Sequence, residues 1–184
     1  MLPVVLGVAF GLGWIPLFVF RAEAMQQALP YYTAGERRWV RATPVIVATH
    51  VTIACLATSA TTPLPFWRVA LGVALFLAGV AFWFWGRLQI GPLRDTRLPD
   101  QAPGALRRTG AFGLVRNPLY FGYLIAAAAP AIVAARPFLA ATWLACLAVF
   151  AVRAEQEERR LHVQLGQAYA DYCRDVKRLI PYVW

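Results

Sequence analysis

The stretch TGAFGLVRNPLYFGY, Thr109–Tyr123, places an Arg-Asn-Pro-x-Tyr-x-Gly run at the start of an apolar segment. A second polar block, EERRLHVQLGQAYADYCRDVKRLIP over Glu157–Pro181, follows the next apolar segment. Polar and charged groups at the boundary of the hydrocarbon usually mark a functional site, because it costs free energy to keep them there. The two blocks therefore predict a membrane protein whose site lies at one edge of the bilayer.

The composition also predicts a membrane protein. Hydrophobic residues make up 60% of the 184 residues and charged residues 15%, whereas soluble domains are about half apolar and a quarter charged. The net charge of +9 is not carried by a basic module of the kind that binds nucleic acid. The three cysteines are far apart, which argues against a metal site or a disulfide framework. We expect one domain over residues 1–184, with three spans in residues 1–86 and the cofactor-binding part in residues 87–184.

Five apolar segments are candidates for transmembrane helices. A hydrocarbon core of about 30 Å requires about 20 helical residues, which the first three segments supply and the last two approach. Pro44 is expected at the start of the second helix. An alternative joins the last two segments into one kinked helix, although Arg136-Pro137 between them favours a turn. The predicted spans are Leu2–Phe20, Thr43–Thr61, Phe66–Trp85, Leu119–Ala135 and Pro137–Val152.

The distribution of lysine and arginine predicts the orientation in the membrane. Sixteen of the 18 basic residues lie in Arg21–Ala42, in Gly86–Pro118 or in the tail from Arg153 onward. Since basic residues collect on the cytoplasmic side, we expect the N-terminus outside and both polar blocks in the cytoplasm. The predicted fold class is all-α: a polytopic membrane protein with five transmembrane helices and a C-terminal amphipathic cytoplasmic helix.

The tail shows helical periodicity on one apolar face. One interpretation is an interfacial helix whose basic face contacts lipid headgroups. Glu158 lies on the apolar face and Glu157 lies beside it, and this interpretation does not explain these carboxylates. The apolar positions are Leu161, Leu165, Ala168, Tyr169, Tyr172 and Val176.

From about Leu88 onward, the two blocks resemble the paired signatures of the isoprenylcysteine carboxyl methyltransferase family, integral-membrane enzymes that use S-adenosylmethionine. That family has Thr-x-Gly-Pro-Tyr and Arg-His-Pro-x-Tyr-x-Gly where this chain has Thr109–Phe112 and Arg116–Gly122. Asn117 replaces the family's histidine, and Lys177 replaces the proline of its Val-Pro-Arg. The second signature is matched by Glu157, Glu158, Leu161, Leu165-Gly166, Tyr169, Tyr172 and the closing Pro181.

The resemblance implies a function and a set of site residues. It implies methyl transfer from S-adenosylmethionine to a lipophilic acceptor that reaches the site from the bilayer. The implied catalytic residues are Arg116, which would orient the acceptor, and Glu158. The implied cofactor-binding residues are Gly110, Phe112, Asn117, Pro118, Tyr120, Glu157, Glu158 and Tyr169.

Several alternatives remain open from the sequence. The acceptor can instead be a phospholipid amine, the enzyme can be an NADPH-dependent sterol-type reductase, or the chain can be a membrane scaffold without activity. Arg116 can simply extend to the interface, and the two glutamates can simply pair with arginines such as Arg153. His50, within the second span, is expected to form an interhelical hydrogen bond rather than to take part in catalysis.

Overall fold

The computed structural model describes residues 1–28, 32–60, 63–90 and 106–184, but not the side chains of residues 16–28. The described residues form helices and no β-strand, apart from one isolated bridge between Val115 and Lys177. The expected all-helical class is therefore confirmed. The helices are α1 (Leu2–Ala28), α2 (Ala34–Ser59), α3 (Phe66–Ile90), α4 (Ala111–Leu114), α5 (Pro118–Ala134), α6 (Pro137–Leu165) and α7 (Gln167–Asp175).

Three of the described helices, α2, α3 and α6, are long and apolar enough to cross a membrane. The part of α1 whose side chains are described, Leu2–Ile15, and the helix α5 are apolar but shorter. The count of five spans and the orientation of the termini therefore remain predictions. Two of the basic residues that predict the orientation, Arg94 and Arg97, lie outside the described residues. The same is true of Thr62 in the link before α3.

The helix α2 begins earlier than predicted. Thr33 caps it: the Glu36 backbone N–H donates to Thr33 Oγ1 at 3.3 Å, and the Thr33 N–H donates to Glu36 Oε2 at 2.9 Å. This reciprocal pair satisfies two N–H groups at the helix start. Pro44 therefore lies inside α2, and the prediction that it starts the helix is wrong. The capping box starts the helix upstream of the apolar segment, and the interior proline only removes one hydrogen-bond donor.

The helix α6 also extends beyond its predicted span. Its predicted end was Val152, but residues 153–165 are mostly strong helix formers, and α6 continues to Leu165. Gly166, with φ +54°, separates α6 from the short α7. The expected single amphipathic tail helix is therefore divided, and Glu157 and Glu158 lie on the last part of α6.

Glycines bring α3 and α5 into backbone contact, the most extensive contact between the described helices. A Cβ atom on Gly79 would lie 2.4 Å from the backbone nitrogen of Ala126, and one on Gly122 would lie 2.8 Å from the carbonyl oxygen of Gly79. Gly72 and Gly86 also face α5, each seven residues from Gly79 along α3. Small residues allow such close approach of helices in membranes.

His50 joins three helices in the interior of the bundle. Its Nε2 lies 2.9 Å from the carbonyl oxygen of Ala127 on α5, and its Nδ1 lies 2.7 Å from Thr142 Oγ1 on α6. The predicted interhelical hydrogen bond is confirmed. These bonds satisfy a buried polar side chain that would otherwise be costly in an apolar interior.

Four helix ends meet at one end of the bundle, which we call the site end. The start of α2 meets the end of α6 through the ion pair of Glu36 and Arg160 at 2.9 Å. A Cβ atom on Gly86, near the end of α3, would lie 3.1 Å from Pro118 at the start of α5. Both polar blocks of the sequence lie at this end.

Candidate active site

The segment before α5 is held by the tail that follows α7. Val115 is extended and forms the isolated bridge with Lys177. The Arg116 N–H donates to the Lys177 carbonyl at 2.8 Å, and the Asn117 N–H donates to the Arg178 carbonyl at 3.1 Å. Pro118 then occupies the first turn of α5, where its missing N–H costs nothing. The Arg-Asn-Pro run is thus fixed by backbone pairing with the tail.

Glu158 is at the centre of a buried group of charges, the Glu158 cluster, formed with Arg116, Asn117 and Arg178. Its Oε1 accepts from Arg116 Nε at 2.9 Å and from Asn117 Nδ2 at 3.3 Å. Its Oε2 accepts from Arg116 Nη2 at 3.1 Å and from Arg178 Nε at 3.0 Å. The Glu158 side chain is only 7% exposed. One carboxylate is thus shared by two guanidinium groups, and the cluster has an excess positive charge.

Arg116 uses two further donors on the tail. Its Nη1 donates to the Cys173 carbonyl at 3.1 Å and to the Val176 carbonyl. Burial alone would lower the pKa of Arg116, but the hydrogen bonds and charge of Glu158 more than offset this, so the pKa is raised. The side chain is 9% exposed, so Arg116 does not simply extend to the interface.

Glu157 has a different environment from Glu158. Its side chain is 34% exposed, and its Oε1 accepts from the Tyr120 hydroxyl and from Arg153 Nη2 at 2.9 Å. Among the described residues, no hydrogen-bond donor reaches Glu157 Oε2. The expected i,i+4 ion pair with Arg153 is present, but it leaves one oxygen of this carboxylate free to bind a ligand.

The tyrosines of α7 contact α4 and α6. The Tyr172 hydroxyl donates to the Phe112 carbonyl at 2.6 Å, and the Tyr169 ring meets the His162 ring edge-on at 4.8 Å. Burial, with the nearby charge of Glu158, raises the pKa of Tyr169, and burial raises that of Tyr172. Both phenols are therefore neutral, and they hold α7 in place.

Gly110 precedes α4 in a conformation that favours glycine, with φ +62°. A Cβ atom there would lie 1.7 Å from Gln89 Nε2, and the neighbouring Ala111 N–H donates to Gln89 Oε1 at 2.9 Å. Gly110 thus allows the end of α3 to contact the start of α4. Its role in the fold is evident without a ligand.

The structure brings together most of the residues predicted for the site. Arg116, Asn117, Glu158, Tyr120 and Glu157 lie in two adjoining hydrogen-bonded groups, with Pro118 beside them. Gly110, Phe112 and Tyr169 form the supporting layer of α4 and α7. Among the described residues there is no group of three or more histidine, cysteine or acidic side chains that can hold a metal ion.

Three features of these groups were not predicted: the contacts of Tyr32, the contacts of Arg178, and the burial of Arg153, whose pairing with a glutamate was expected. The sequence contains only one signal for them, the four-residue spacing of Arg153 and Glu157, which predicts a pair on one helix face. The bonds from Arg178 to Glu158 and from Arg153 to Tyr32 join distant parts of the chain. No local pattern predicts such contacts.

These features define a helical membrane protein with a buried charged site at one end of the bundle. Residues 67–168 match the phospholipid methyltransferase family, and this match covers more than half of the chain. The chain therefore belongs to the phospholipid methyltransferase family, and it is a membrane methyltransferase. This family is in the same integral-membrane class as the isoprenylcysteine carboxyl methyltransferases, so the class expected from the resemblance is confirmed at that level. No curated protein gives a significant match to the chain.

Proposed function

We propose that the chain transfers a methyl group from S-adenosylmethionine to a lipid acceptor at the site end of the bundle. The observation that carries this proposal is the part-exposed carboxylate of Glu157 beside the buried Glu158 cluster, within residues that match the family. A lipid acceptor agrees with a site at the edge of an apolar bundle, because the lipid tail can stay in the bilayer.

The residues around Glu157 fit S-adenosylmethionine. Glu157 Oε2 can accept a hydrogen bond from the ammonium group or from a ribose hydroxyl of the cofactor. The Tyr120 hydroxyl donates to Glu157 Oε1, and the Tyr120 ring stacks on Phe150 at 5.0 Å, so Tyr120 supports the carboxylate from within the bundle. When bound, the cofactor supplies a methyl carbon on a cationic sulfur, which an acceptor atom attacks as the carbon–sulfur bond breaks. The protein mainly aligns the reacting atoms.

We assign Arg116 and Glu158 to positioning rather than to direct contact with ligands. We expected from the resemblance that Arg116 orients the acceptor and that Glu158 contacts the cofactor. The contacts favour a different division, because Arg116 donates to Glu158 and to two tail carbonyls, and Glu158 accepts from three side chains. Together they fix Asn117, the start of α5 and the tail around the neighbouring Glu157.

A phospholipid amine is the first acceptor to test. The family name supports it, and so does the state of Arg116. Four of the five N–H donors of Arg116 are bound within the protein, so this side chain has no free pair of donors with which to orient a carboxylate acceptor. An amine acceptor would first lose its ammonium proton; its lone pair would then form the bond to carbon as the carbon–sulfur bond broke, and the methylated nitrogen would carry the positive charge. The second candidate is a prenylcysteine carboxylate, which the sequence motifs favour.

The proposed arrangement in the membrane has five spans, with the site end in the cytoplasm. The basic loops support this orientation, and the contact of the α2 start with the α6 end is compatible with it. S-adenosylmethionine is made in the cytoplasm, so the proposed orientation gives the cofactor access to Glu157.

The test is a methyl-transfer assay on the purified protein in lipid nanodiscs with methyl-labelled S-adenosylmethionine. One set of discs contains an aminophospholipid and the other an isoprenylated cysteine analogue. We expect label in the aminophospholipid that mild alkali does not release as methanol, because an N-methyl bond is stable to base. Label released by alkali as methanol would identify a carboxyl methyl ester and favour the second candidate.

Binding measurements separate the remaining alternatives. We expect S-adenosylhomocysteine to raise the thermal unfolding temperature of the protein in detergent, because a ligand that binds the native state stabilises it. Stabilisation by NADP alone would support a reductase. No response to either ligand and no transfer of label would support a scaffold protein.

A further inference from the structure

Tyr32 lies just before α2, outside the residues 67–168 that match the family. A single residue, Arg153, nevertheless links it to Glu157, the carboxylate that we propose binds the cofactor. Arg153 Nη2 donates to the Tyr32 hydroxyl at 2.9 Å and also to Glu157 Oε1 at 2.9 Å. One nitrogen therefore binds both acceptors, and because the guanidinium group is planar, the position of one acceptor restricts the position of the other.

Arg153 is oriented by these two acceptors together with Gln156 and the Tyr32 ring, whose centroid lies 4.8 Å from the guanidinium carbon. Its side chain is only 4% exposed, so water does not replace a lost partner at low cost. Its Nη1 donates to Gln156 Oε1 at 3.1 Å, while its Nε has no hydrogen-bond partner among the described residues. Removing one acceptor would leave a second buried donor unsatisfied, which costs about 1–3 kcal/mol and favours a shift of the guanidinium toward another partner.

Tyr32 itself is firmly held. The Arg160 guanidinium carbon lies 3.4 Å from the centroid of its ring, and Arg160 pairs with Glu36 at 2.9 Å. Arg37 Nε donates to the Tyr32 carbonyl at 2.8 Å. Since Glu36 also belongs to the capping box of α2, the position of Tyr32 is fixed by the start of that helix.

We propose that Tyr32 is a positioning residue of the methyltransferase site, which orients the Glu157 carboxylate through Arg153. The inference rests on the proposed function, in which Glu157 binds S-adenosylmethionine. Tyr32→Phe keeps the ring that stacks on Arg160 but removes the oxygen that accepts from Arg153. We expect it to raise the dissociation constant for S-adenosylmethionine about fivefold, the effect of losing one hydrogen bond. The KM for the cofactor rises in proportion, while kcat changes little.

The experiment is a double-mutant cycle on the full chain in nanodiscs, with S-adenosylmethionine affinity measured by calorimetry. The variants are Tyr32→Phe, Glu157→Gln and the double variant. If Tyr32 acts through Glu157, its fivefold effect disappears in the Glu157→Gln background, because directly coupled residues are not additive. Tyr182→Phe is the matched control: this tyrosine is 87% exposed, and its substitution leaves the affinity unchanged.

A second variant tests the link between Tyr32 and Glu157 by a different substitution, so that the result does not depend on the folding of Tyr32→Phe alone. Arg153→Lys keeps a cation beside Glu157 but cannot hold both acceptors in a planar geometry. It should weaken binding about as much as Tyr32→Phe, with no further loss when the two are combined. The inference is wrong if Tyr32→Phe has no effect, or if it causes the same fivefold loss with and without Glu157. Either result leaves the proposed function intact. No effect of Glu157→Gln overturns the proposed cofactor role of Glu157 and the inference with it.

Discussion

Replacing Glu158 with alanine is expected to destabilise the protein strongly. The change removes the shared acceptor of Arg116, Asn117 and Arg178 and leaves the buried Arg116 guanidinium without a counter-charge. Removing one partner of a buried ion pair costs about 3–5 kcal/mol. This is a large part of the total stability of about 5–15 kcal/mol that is typical of folded proteins. At roughly 2–4 °C per kcal/mol for a chain of this size, the unfolding temperature should fall by about 6–20 °C.

The assay is thermal unfolding of the purified protein in detergent, with two further variants as references. Glu158→Gln keeps the shape and one acceptor oxygen and should lie between the native protein and Glu158→Ala. Glu155→Ala removes an exposed carboxylate that pairs with Arg159, and it should change the unfolding temperature little. We also expect Glu158→Ala, but not Glu155→Ala, to weaken S-adenosylmethionine binding. Equal and small shifts for Glu158→Ala and Glu155→Ala would refute the buried-cluster argument.

Three further predictions concern topology, packing and Arg116. Reporters fused after Leu64 and after the last residue should lie in opposite compartments, and finding both on one side would contradict five spans. Gly79→Ala forces a Cβ atom against the α5 backbone and should cost about 1–3 kcal/mol, whereas Gly35→Ala, with no atom within 4 Å, should be tolerated; equal unfolding temperatures would refute this packing argument. Arg116→Lys should lose most turnover and some thermal stability, because lysine cannot bind both Glu158 oxygens; near-normal turnover and stability would show that the forked geometry is dispensable.

Much of the helical fold could be predicted from apolar runs, but the helix boundaries could not be read from hydropathy alone. Both α2 and α6 continue into charged sequence, since helix formation depends on capping and on backbone propensity rather than on hydrophobicity. The sequence does contain a signal for the start of α2: Thr33 followed three residues later by Glu36, the pattern of a capping box. The glycines of α3 at intervals of seven residues were a further signal, and they predict the close packing that the structure shows.

The candidate site was predictable as a set of residues but not as a set of contacts. The motifs identified Arg116, Asn117, Glu157 and Glu158, because polar groups at an apolar boundary are conspicuous in sequence. Which glutamate is buried depends on Arg178, which approaches from the tail. Adjacent residues on a helix point about 100° apart, so Glu157 and Glu158 face different neighbours, and the sequence alone could not assign them different roles.

The pairing of the tail with the segment before α5 also sets the order in which the site can form during synthesis. Arg116 precedes Glu158 by 42 residues, and Arg178 follows Glu158 by 20. Because the chain is made from its N-terminus, α2, α3, Arg116 and α5 are all made before Glu158 and before the tail carbonyls that Arg116 binds. A nascent chain halted before Arg178 would therefore have its apolar helices but would lack the tail partners of Arg116 and Glu158, so the Glu158 cluster can form in full only after the tail has been made.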